Sequence, residues 1–167
     1  MLFRSKFYKE GLELPNVGRE GHTYLSHIVQ HYQDLPEIIG FIQADGTENN
    51  VCHQENIINT INNLDTNFIN PIYFGRSHTC DLNGHPDHAR LNIKKYISLF
   101  DINIDDNFVV KFCSGAQFIV KKQHILFRPQ AFYQYLLDLL SHSVDPIEGY
   151  IIERLWGYIF NTDIKLL

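Results

Sequence analysis

The segment at residues 151–160, IIERLWGYIF, decides the predicted fold because it carries the clearest secondary-structure signal of the chain. Its apolar residues recur at helical spacing and form one face: Ile151, Ile152, Leu155, Trp156, Ile159 and Phe160. A helix with an apolar face of this width is stable only when that face is packed against other elements. We therefore expect this helix to cover the core, with the rest of the chain arranged around it.

Upstream of this helix, predicted helices alternate with predicted strands. Helical periodicity begins near Thr23, Ile57, Leu91 and Pro129. The predicted strands are residues 38–43, 72–74, 108–112 and 117–120, and residues 75–88 are predicted to form a loop. This alternation predicts an α/β fold. We expect a single domain over residues 1–167, with a layered sheet flanked by helices.

Composition limits the class of protein. The chain has 167 residues, a net charge of -5 and 44% hydrophobic residues, which is enough apolar content to build a core and excludes a disordered chain. The mixed charge argues against a protein that coats nucleic acid. No apolar run approaches the roughly 18 residues of a membrane span, so none is expected.

The cysteines bear on the cellular compartment. Cys52, Cys80 and Cys113 are odd in number and scattered, so a disulfide framework is not expected. We expect a reducing compartment, namely the cytoplasm, which would be that of a host cell if the gene is viral.

A polar segment, residues 16–22 (NVGREGH), precedes the first predicted helix. Backbone N–H groups at a helix start attract anions, and Arg19 could bind a phosphate or carboxylate through two hydrogen bonds. In the alternative, which the sequence alone favours, this is an ordinary helix start in which Glu20 favours the helix dipole and Arg19 pairs locally.

Four potential metal ligands lie close together in the predicted loop: His78, Cys80, His85 and His88. Imidazole and thiolate groups are zinc ligands. Their spacing matches no zinc motif, however, so a solvated loop is the favoured alternative. His27 and His31, four residues apart on the first helix, form a second candidate pair, but their position beside the apolar stripe favours packing.

Two acidic sites have catalytic potential. The segment at residues 101–106 (DINIDD) is the nearest equivalent of the paired aspartates with which sugar-nucleotide transferases hold Mn²⁺ or Mg²⁺, although a solvated turn is the simpler interpretation. Glu153 lies at the border of the apolar face of the last helix, where partial burial would suit a general base. The alternative for Glu153 is a surface carboxylate that pairs with a nearby basic group.

Three blocks together resemble one family. They are LPNVGREGHTYLSHIVQHYQDLPEIIGFIQ (residues 14–43), GAQFIVKKQHILFRPQAFYQYLLDLL (residues 115–140) and IIERLWGYIF (residues 151–160). Their order and content resemble the domain of unknown function 3431 family. Its members combine an N-x-G-R-E helix start, a Y-D-x-L-P turn, a G/C-A-Q-F-x-V strand, an R-P-x-x-F/Y helix and an E-x-x-W-x-x-I-F helix.

The resemblance implies a set of site residues. The family's order of elements is similar to that of glycosyltransferases with a nucleotide-sugar-binding, GT-A-like α/β fold, so a sugar nucleotide or glycan is the implied partner. The implied catalytic residues are Glu153, as base or acceptor-binding carboxylate, and His53. The implied substrate-binding residues are Asn16, Arg19, Glu20, His22, Gln117, Arg128 and Trp156, with Arg19 neutralising a diphosphate.

Two other functions stay open on the sequence. Longer family members begin with an additional strand that carries an R-Y-N-E-like segment, and this chain begins near the end of that strand. A shortened, non-catalytic interaction or structural protein is therefore the second hypothesis. The third is a metal-dependent hydrolase that uses the loop from His78 to His88.

Overall fold

Helices surround two small antiparallel sheets. The computed structural model of the protein describes residues 14–43, 54–86, 88, 90–100, 104–105 and 107–160. Its helices are α1 (Arg19–Gln30), α2 (Gln54–Asn62), α3 (Ile93–Ile97), α4 (Lys122–Leu126), α5 (Gln130–Leu140) and α6 (Ile147–Phe160). Its strands are β1 (Ile38–Phe41), β2 (Ile72–Tyr73), β3 (Ser77–Cys80), β4 (Val110–Cys113) and β5 (Phe118–Lys121). A 3₁₀ helix, Ser98–Phe100, follows α3.

The strands form a three-stranded sheet in the order β1-β5-β2 and a two-stranded sheet of β3 and β4. Phe118 of the central strand β5 pairs with Phe41 on one side and with Tyr73 on the other. In the second sheet, Cys80 pairs with Val110. The predicted combination of helices and strands is confirmed as a mixed α/β fold. Both sheets are small and antiparallel, and the consecutive strands β4 and β5 belong to different sheets.

Two chain segments pass side by side from one sheet to the other. One joins β2 to β3 through Gly75, and the other joins β4 to β5 through residues 114–117. The Phe74 N–H donates to the Gln117 carbonyl oxygen at 3.0 Å, and the Ser114 N–H donates to the Arg76 carbonyl oxygen at 3.1 Å. A Cβ atom on Gly75 would overlap the Ser114 carbonyl oxygen, so this close approach requires glycine. We call this crossing the sheet junction.

Aromatic rings on α6 and β5 form the centre of the core. The Phe118 ring centroid lies 5.2 Å from both the Trp156 and the Phe160 ring centroids, and 5.3 Å from that of Phe41. Trp156 and Phe160 stack on one another, with an interplanar angle of 11°. The predicted apolar face of the last helix is confirmed, since each of its six residues is at most 2% exposed.

The start of α1 is fixed by a left-handed residue. Gly18 has φ +65, and its N–H donates to the Ser143 carbonyl oxygen at 2.8 Å. A Cβ atom at Gly18 would overlap His22 and Leu140, so glycine permits the contact between α1 and the end of α5.

Two elements were not predicted from the sequence. Strand β3, with the sequence SHTC, falls within the predicted loop, because its polar residues become a strand only by pairing with β4. The five-residue helix α4 follows β5 directly, where no helix was predicted. Among the described residues, no helix is both long and apolar enough to cross a membrane.

Replacing Phe118 by alanine should lower the free energy of unfolding by about 3–5 kcal/mol. The substitution would leave a cavity between α1, β1, β2 and α6, each of which places an aromatic ring beside Phe118. Phe127→Ala is the matched control, since Phe127 is 50% exposed. It should cost less than about 1 kcal/mol. Chemical unfolding monitored by circular dichroism measures both values, and similar losses in the two variants would contradict the assignment of Phe118 to the core.

Candidate functional site

A narrow cleft opens between α6 and the sheet junction. It encloses about 330 Å³ when its open mouth is included, and its interior has room for about one water molecule. It is lined by Tyr73, Lys111, Phe112, Cys113, Ala116, Phe118, Glu153, Trp156 and Gly157. We call it the Glu153 cleft. Four of these nine residues are aromatic, and a few polar groups lie among them, as is typical of small-ligand sites.

Glu153 fixes one side of the cleft. Its Oε1 accepts a hydrogen bond from the Gly115 N–H at 2.8 Å, which joins α6 to the turn between β4 and β5. Its Oε2 lies 3.9 Å from Nη1 of Arg154, which is itself 3% exposed. The Arg154 guanidinium lies 4.8 Å from the Phe112 ring centroid and donates from Nη1 to the Tyr150 carbonyl oxygen. Glu153 is thus held by a backbone donor, with a buried cation nearby.

The turn held by Glu153 is conformationally unusual. Gly115 has φ +86 and Ala116 has φ +46, so two successive residues are left-handed. This geometry costs roughly 1–2 kcal/mol for an alanine, and such strain persists only where surrounding contacts enforce it. The Glu153 carboxylate is one of those contacts. No local sequence pattern indicates that an α6 carboxylate binds this turn.

Glu20, at the start of α1, is close enough to Glu153 for the two charges to interact. Burial raises the pKa of the Glu20 carboxyl above its ordinary value of 4.5, the Arg19 cation opposes this, and the negative charge of Glu153 adds to it. The Gln43 side chain also hydrogen-bonds to Glu20. The charge of Glu153 on α6 therefore acts on the Glu20 carboxyl of α1.

Arg19 adjoins these carboxyl groups but already has anionic partners. Its Nε lies 3.7 Å from the Glu20 carboxylate and 3.8 Å from that of Asp145. Its guanidinium carbon lies 4.1 Å from the ring centroid of Tyr150. Its Nη1 is buried and has no hydrogen-bond partner among the described residues. Two carboxylates therefore share the positive charge of Arg19.

The structure brings four of the predicted site residues into one region. Arg19 contacts Glu20, Glu20 and Glu153 interact through their charges, and Glu153 and Trp156 line the same cleft. Gln117 is 1% exposed, and its two neighbours in the chain, Ala116 and Phe118, line the cleft. Both ends of its side-chain amide are without a partner in the part of the chain that the structure describes.

Other predicted site residues lie elsewhere. Asn16 is exposed ahead of α1. His22 is buried in α1, where burial lowers its pKa below the ordinary 6.5. The guanidinium of Arg128 lies 5.0–5.3 Å from the ring centroids of Phe100, Phe127 and Phe132, none of which lines the Glu153 cleft. His53 lies outside the described residues, so its predicted role stays a prediction.

The predicted metal ligands do not form a group. The His78 ring stacks on Phe112, whereas the His88 ring lies 4.7 Å from that of Tyr150. Cys80 is buried in β3, and His85 donates its backbone N–H to the Asp81 carboxylate. Within the ranges that the structure describes, no three His, Cys, Asp or Glu side chains are placed to hold a metal ion. The zinc site predicted on this loop is therefore not supported, because strand pairing and ring contacts separate its candidate ligands.

The predicted Mn²⁺ or Mg²⁺ ion also has no group of three candidate ligands among the described residues. Glu20 and Glu153 supply two carboxylates from separate helices that interact through their charges. Proteins usually hold Mg²⁺ through one or two carboxylates together with substrate phosphates. Of the segment at residues 101–106, only residues 104 and 105 are described. The carboxylate of Asp105 accepts the backbone N–H of Asn107, which is an ordinary turn contact.

The sequence analysis missed several residues of the site. Tyr73, Lys111, Phe112 and Cys113 line the cleft, and none of them stood out in the sequence. The hydroxyl of Tyr73 is buried without a partner in the described part of the chain, and burial raises its pKa well above 10.0. A short apolar strand reading IYF gives no signal for such a group, since only the tertiary fold places it against α6.

Comparison with protein-family models gives a match over nearly the whole chain. The model described as "Protein of unknown function (DUF3431)" matches residues 6–166. The chain belongs to this family. The resemblance predicted from the three sequence blocks is thereby confirmed, and the match extends through the section between residues 44 and 114 that those blocks left out. For this DUF3431 chain, comparisons with curated proteins and with solved structures gave no match.

Replacing Glu153 by alanine should lower the free energy of unfolding by about 1–3 kcal/mol, because the Gly115 N–H loses its acceptor in a partly buried site. Glu153→Gln should retain most of the stability, since its amide oxygen can accept the same hydrogen bond. Urea unfolding of the two variants measures the difference. Equal stabilities of the alanine and glutamine variants would show that this hydrogen bond does not support the turn.

The raised pKa of Glu20 predicts that the free energy of unfolding depends on pH. The folded protein binds the Glu20 proton more tightly than the unfolded chain, so wild-type stability falls as the pH rises from about 4.5 through the folded-state pKa. Glu20→Gln does not ionise and escapes this loss. We expect its free energy of unfolding, relative to wild type, to increase between pH 4 and pH 7. Glu37→Gln, which alters an exposed glutamate, is the control. If the free energy of unfolding of Glu20→Gln, relative to wild type, fell between pH 4 and pH 7, the burial of Glu20 would be contradicted.

Proposed function

We propose that this protein binds a sugar, as a glycan or as the sugar part of a sugar nucleotide, at the mouth of the Glu153 cleft, and that it acts as a glycosyltransferase. The observation that carries the proposal is a positioned carboxylate at the wall of a narrow aromatic cleft. Carboxylates accept hydrogen bonds from sugar hydroxyls, while aromatic side chains suit the apolar C–H surface of a sugar ring.

The proposed chemistry assigns a separate task to each group. In glycosyl transfer, a hydroxyl of the acceptor attacks the sugar's anomeric carbon, the bond to the leaving phosphate breaks, and the hydroxyl proton passes to a base. Glu153 is the proposed base, because Oε1 is fixed by Gly115 and Oε2 makes only a 3.9 Å ionic contact. Arg19, with its buried Nη1, is the proposed partner of the diphosphate, which would exchange with the 61% exposed Asp145 carboxylate.

No step of this proposal passes through a metal ion, since the described donors do not form a metal-binding group. Charge on the leaving diphosphate would be compensated by the guanidinium of Arg19. The GT-A-like fold suggested by the family resemblance is part of the proposal. It rests on the order of the sequence blocks.

A second candidate function is sugar binding without catalysis. It is favoured by the fact that both proposed functional groups already have structural partners. Glu153 accepts the Gly115 hydrogen bond, and Arg19 contacts Glu20 and Asp145. A protein of this kind would bind the same ligands without turning them over.

The chain offers a direct probe of binding, because its only tryptophan, Trp156, lines the cleft. We would titrate the protein with UDP-glucose, UDP-N-acetylglucosamine, GDP-mannose, the corresponding free sugars and the two nucleoside diphosphates. Tryptophan fluorescence reports local binding, and a parallel thermal-unfolding assay reports stabilisation. A ligand at 100 times its dissociation constant should stabilise the protein by about 2.7 kcal/mol. The absence of a fluorescence or stability change with every sugar would overturn the proposal.

Two variants separate binding from catalysis. Glu153→Gln should reduce sugar-dependent release of nucleoside diphosphate by at least about 100-fold if Glu153 is the base. The exposed Glu37→Gln variant should be unaffected. Binding with no turnover by wild-type protein, over a panel of acceptor sugars, would favour the non-catalytic function. Turnover that is equal in wild type and in Glu153→Gln would remove Glu153 from the mechanism.

A further inference from the structure

His124 links the start of helix α4 to the chain segment that precedes β2. Its Nδ1 accepts a hydrogen bond from the Lys121 N–H at 3.0 Å, and its Nε2 lies 2.7 Å from the Ile69 carbonyl oxygen. A backbone N–H only donates and a carbonyl oxygen only accepts, so these contacts require an unprotonated Nδ1 and a protonated Nε2. The ring is therefore neutral in this arrangement, and the backbone on both sides fixes its tautomer.

A second proton on the His124 ring would break this arrangement. Nδ1 would then carry a hydrogen that faces the Lys121 N–H, so the hydrogen bond between them would be lost and two donors would oppose one another. The residue is 5% exposed, so water does not solvate a positive charge on the ring. Burial lowers the pKa of His124 below its ordinary value of 6.5, the hydrogen bond to Ile69 opposes this shift, and the Lys121 cation adds to it.

The charged groups on the neighbouring segments do not compensate such a charge. They are two cations and two carboxylates, namely Lys121, Lys122, Asp65 and Glu37. The Lys121 cation acts on His124, and its ammonium nitrogen lies 4.8 Å from the Phe68 ring centroid. Asp65 and Glu37 are exposed, so solvent screens their charges. A protonated His124 therefore meets a like charge.

The hydrogen bond to Ile69 holds a segment that has few other attachments. Residues 65–70 are exposed except for the half-buried Phe68, and Ile69 is 80% exposed. Between described residues, the bond from His124 is the one hydrogen bond that ties residues 65–71 to another element. The segment continues directly into β2, a two-residue edge strand whose Tyr73 lines the Glu153 cleft. Exposed segments with so few hydrogen bonds open at low free-energy cost.

We propose that His124 is a pH-sensitive latch: when neutral it holds residues 65–71 against α4, and when protonated it releases them together with the β2 side of the Glu153 cleft. This inference does not depend on which ligand the cleft binds. In the open segment His124 is solvated and has its ordinary pKa near 6.5, above that of the closed form, so opening takes up a proton. Opening is therefore favoured as the pH falls below about 6.5, by at most about tenfold for each pH unit.

A matched pair of variants tests the latch by hydrogen–deuterium exchange at pH 7.5 and pH 5.5, corrected for the intrinsic pH dependence of exchange. In wild type, the opening constant of residues 64–74 should rise about three- to tenfold at the lower pH, while that of α5, which reports global unfolding, should change less. His124→Gln does not ionise, and its side-chain amide retains a donor for the Ile69 carbonyl oxygen, so its ratio of opening constants should be close to one. His27→Gln removes another histidine that is 5% exposed, on α1, and should retain the wild-type ratio.

A second measurement uses the wild-type protein alone. The ¹⁵N chemical shifts of the His124 ring identify its tautomer, which should carry its proton on Nε2 at pH 7.5. As the pH is lowered, protonation of the ring and a change in the Lys121 amide resonance should follow one titration curve. An Nδ1–H tautomer would overturn the latch. So would exchange of residues 64–74 that depends on pH equally in wild type and in His124→Gln, or that does not depend on pH in wild type.

Discussion

The hydrogen bond from the Gly115 N–H to the Glu153 carboxylate is the constraint on which the site depends. It joins α6, the most deeply packed helix, to the sheet junction, where the chain passes between two sheets that share no strand. The junction contains the left-handed Gly115 and Ala116, and its backbone there is paired in neither sheet. A fixed acceptor from α6 therefore sets the position of the turn, and with it the position of Cys113 and Phe118 on either side of the cleft.

Local patterns predict most of the helices and four of the five described strands, whereas α4, β3, the strand order and the cleft depend on tertiary contacts. The spacing of apolar residues predicts α6 and its buried face, and it places Glu153 at the border of that face. Strand β3 and the cleft position of Tyr73 depend on partners far away in the sequence, so no local pattern indicated them. The substrate-binding role of Arg128 rests on the family resemblance and stays a prediction, and the structure adds that its guanidinium packs among phenylalanine rings.

A carboxylate that stabilises a turn can also bind a ligand, because one oxygen can accept the backbone hydrogen bond while the other accepts a hydrogen bond from the ligand. Oε1 of Glu153 is bound by the backbone, which fixes the direction of the group without side-chain entropy being lost on binding. Oε2 then belongs to a fixed carboxylate on a cleft that Trp156 and Tyr73 also line. Preorganisation of this kind is what a binding or catalytic site requires. The raised pKa of neighbouring Glu20 adds a group that keeps its proton longer than an exposed glutamate does.

The most direct test of this account is the amide ¹⁵N–¹H NMR spectrum of the protein during titration with the sugar nucleotides of the panel. Trp156 is the only tryptophan, so one indole Nε1–H resonance reports the interior of the cleft, and the Gly115 amide reports its wall. We predict that both resonances shift together, with one dissociation constant, and that the Gly115 amide of Glu153→Ala moves upfield before any ligand is added. A sugar nucleotide that binds while both resonances stay in place would contradict the assignment of the Glu153 cleft as the functional site.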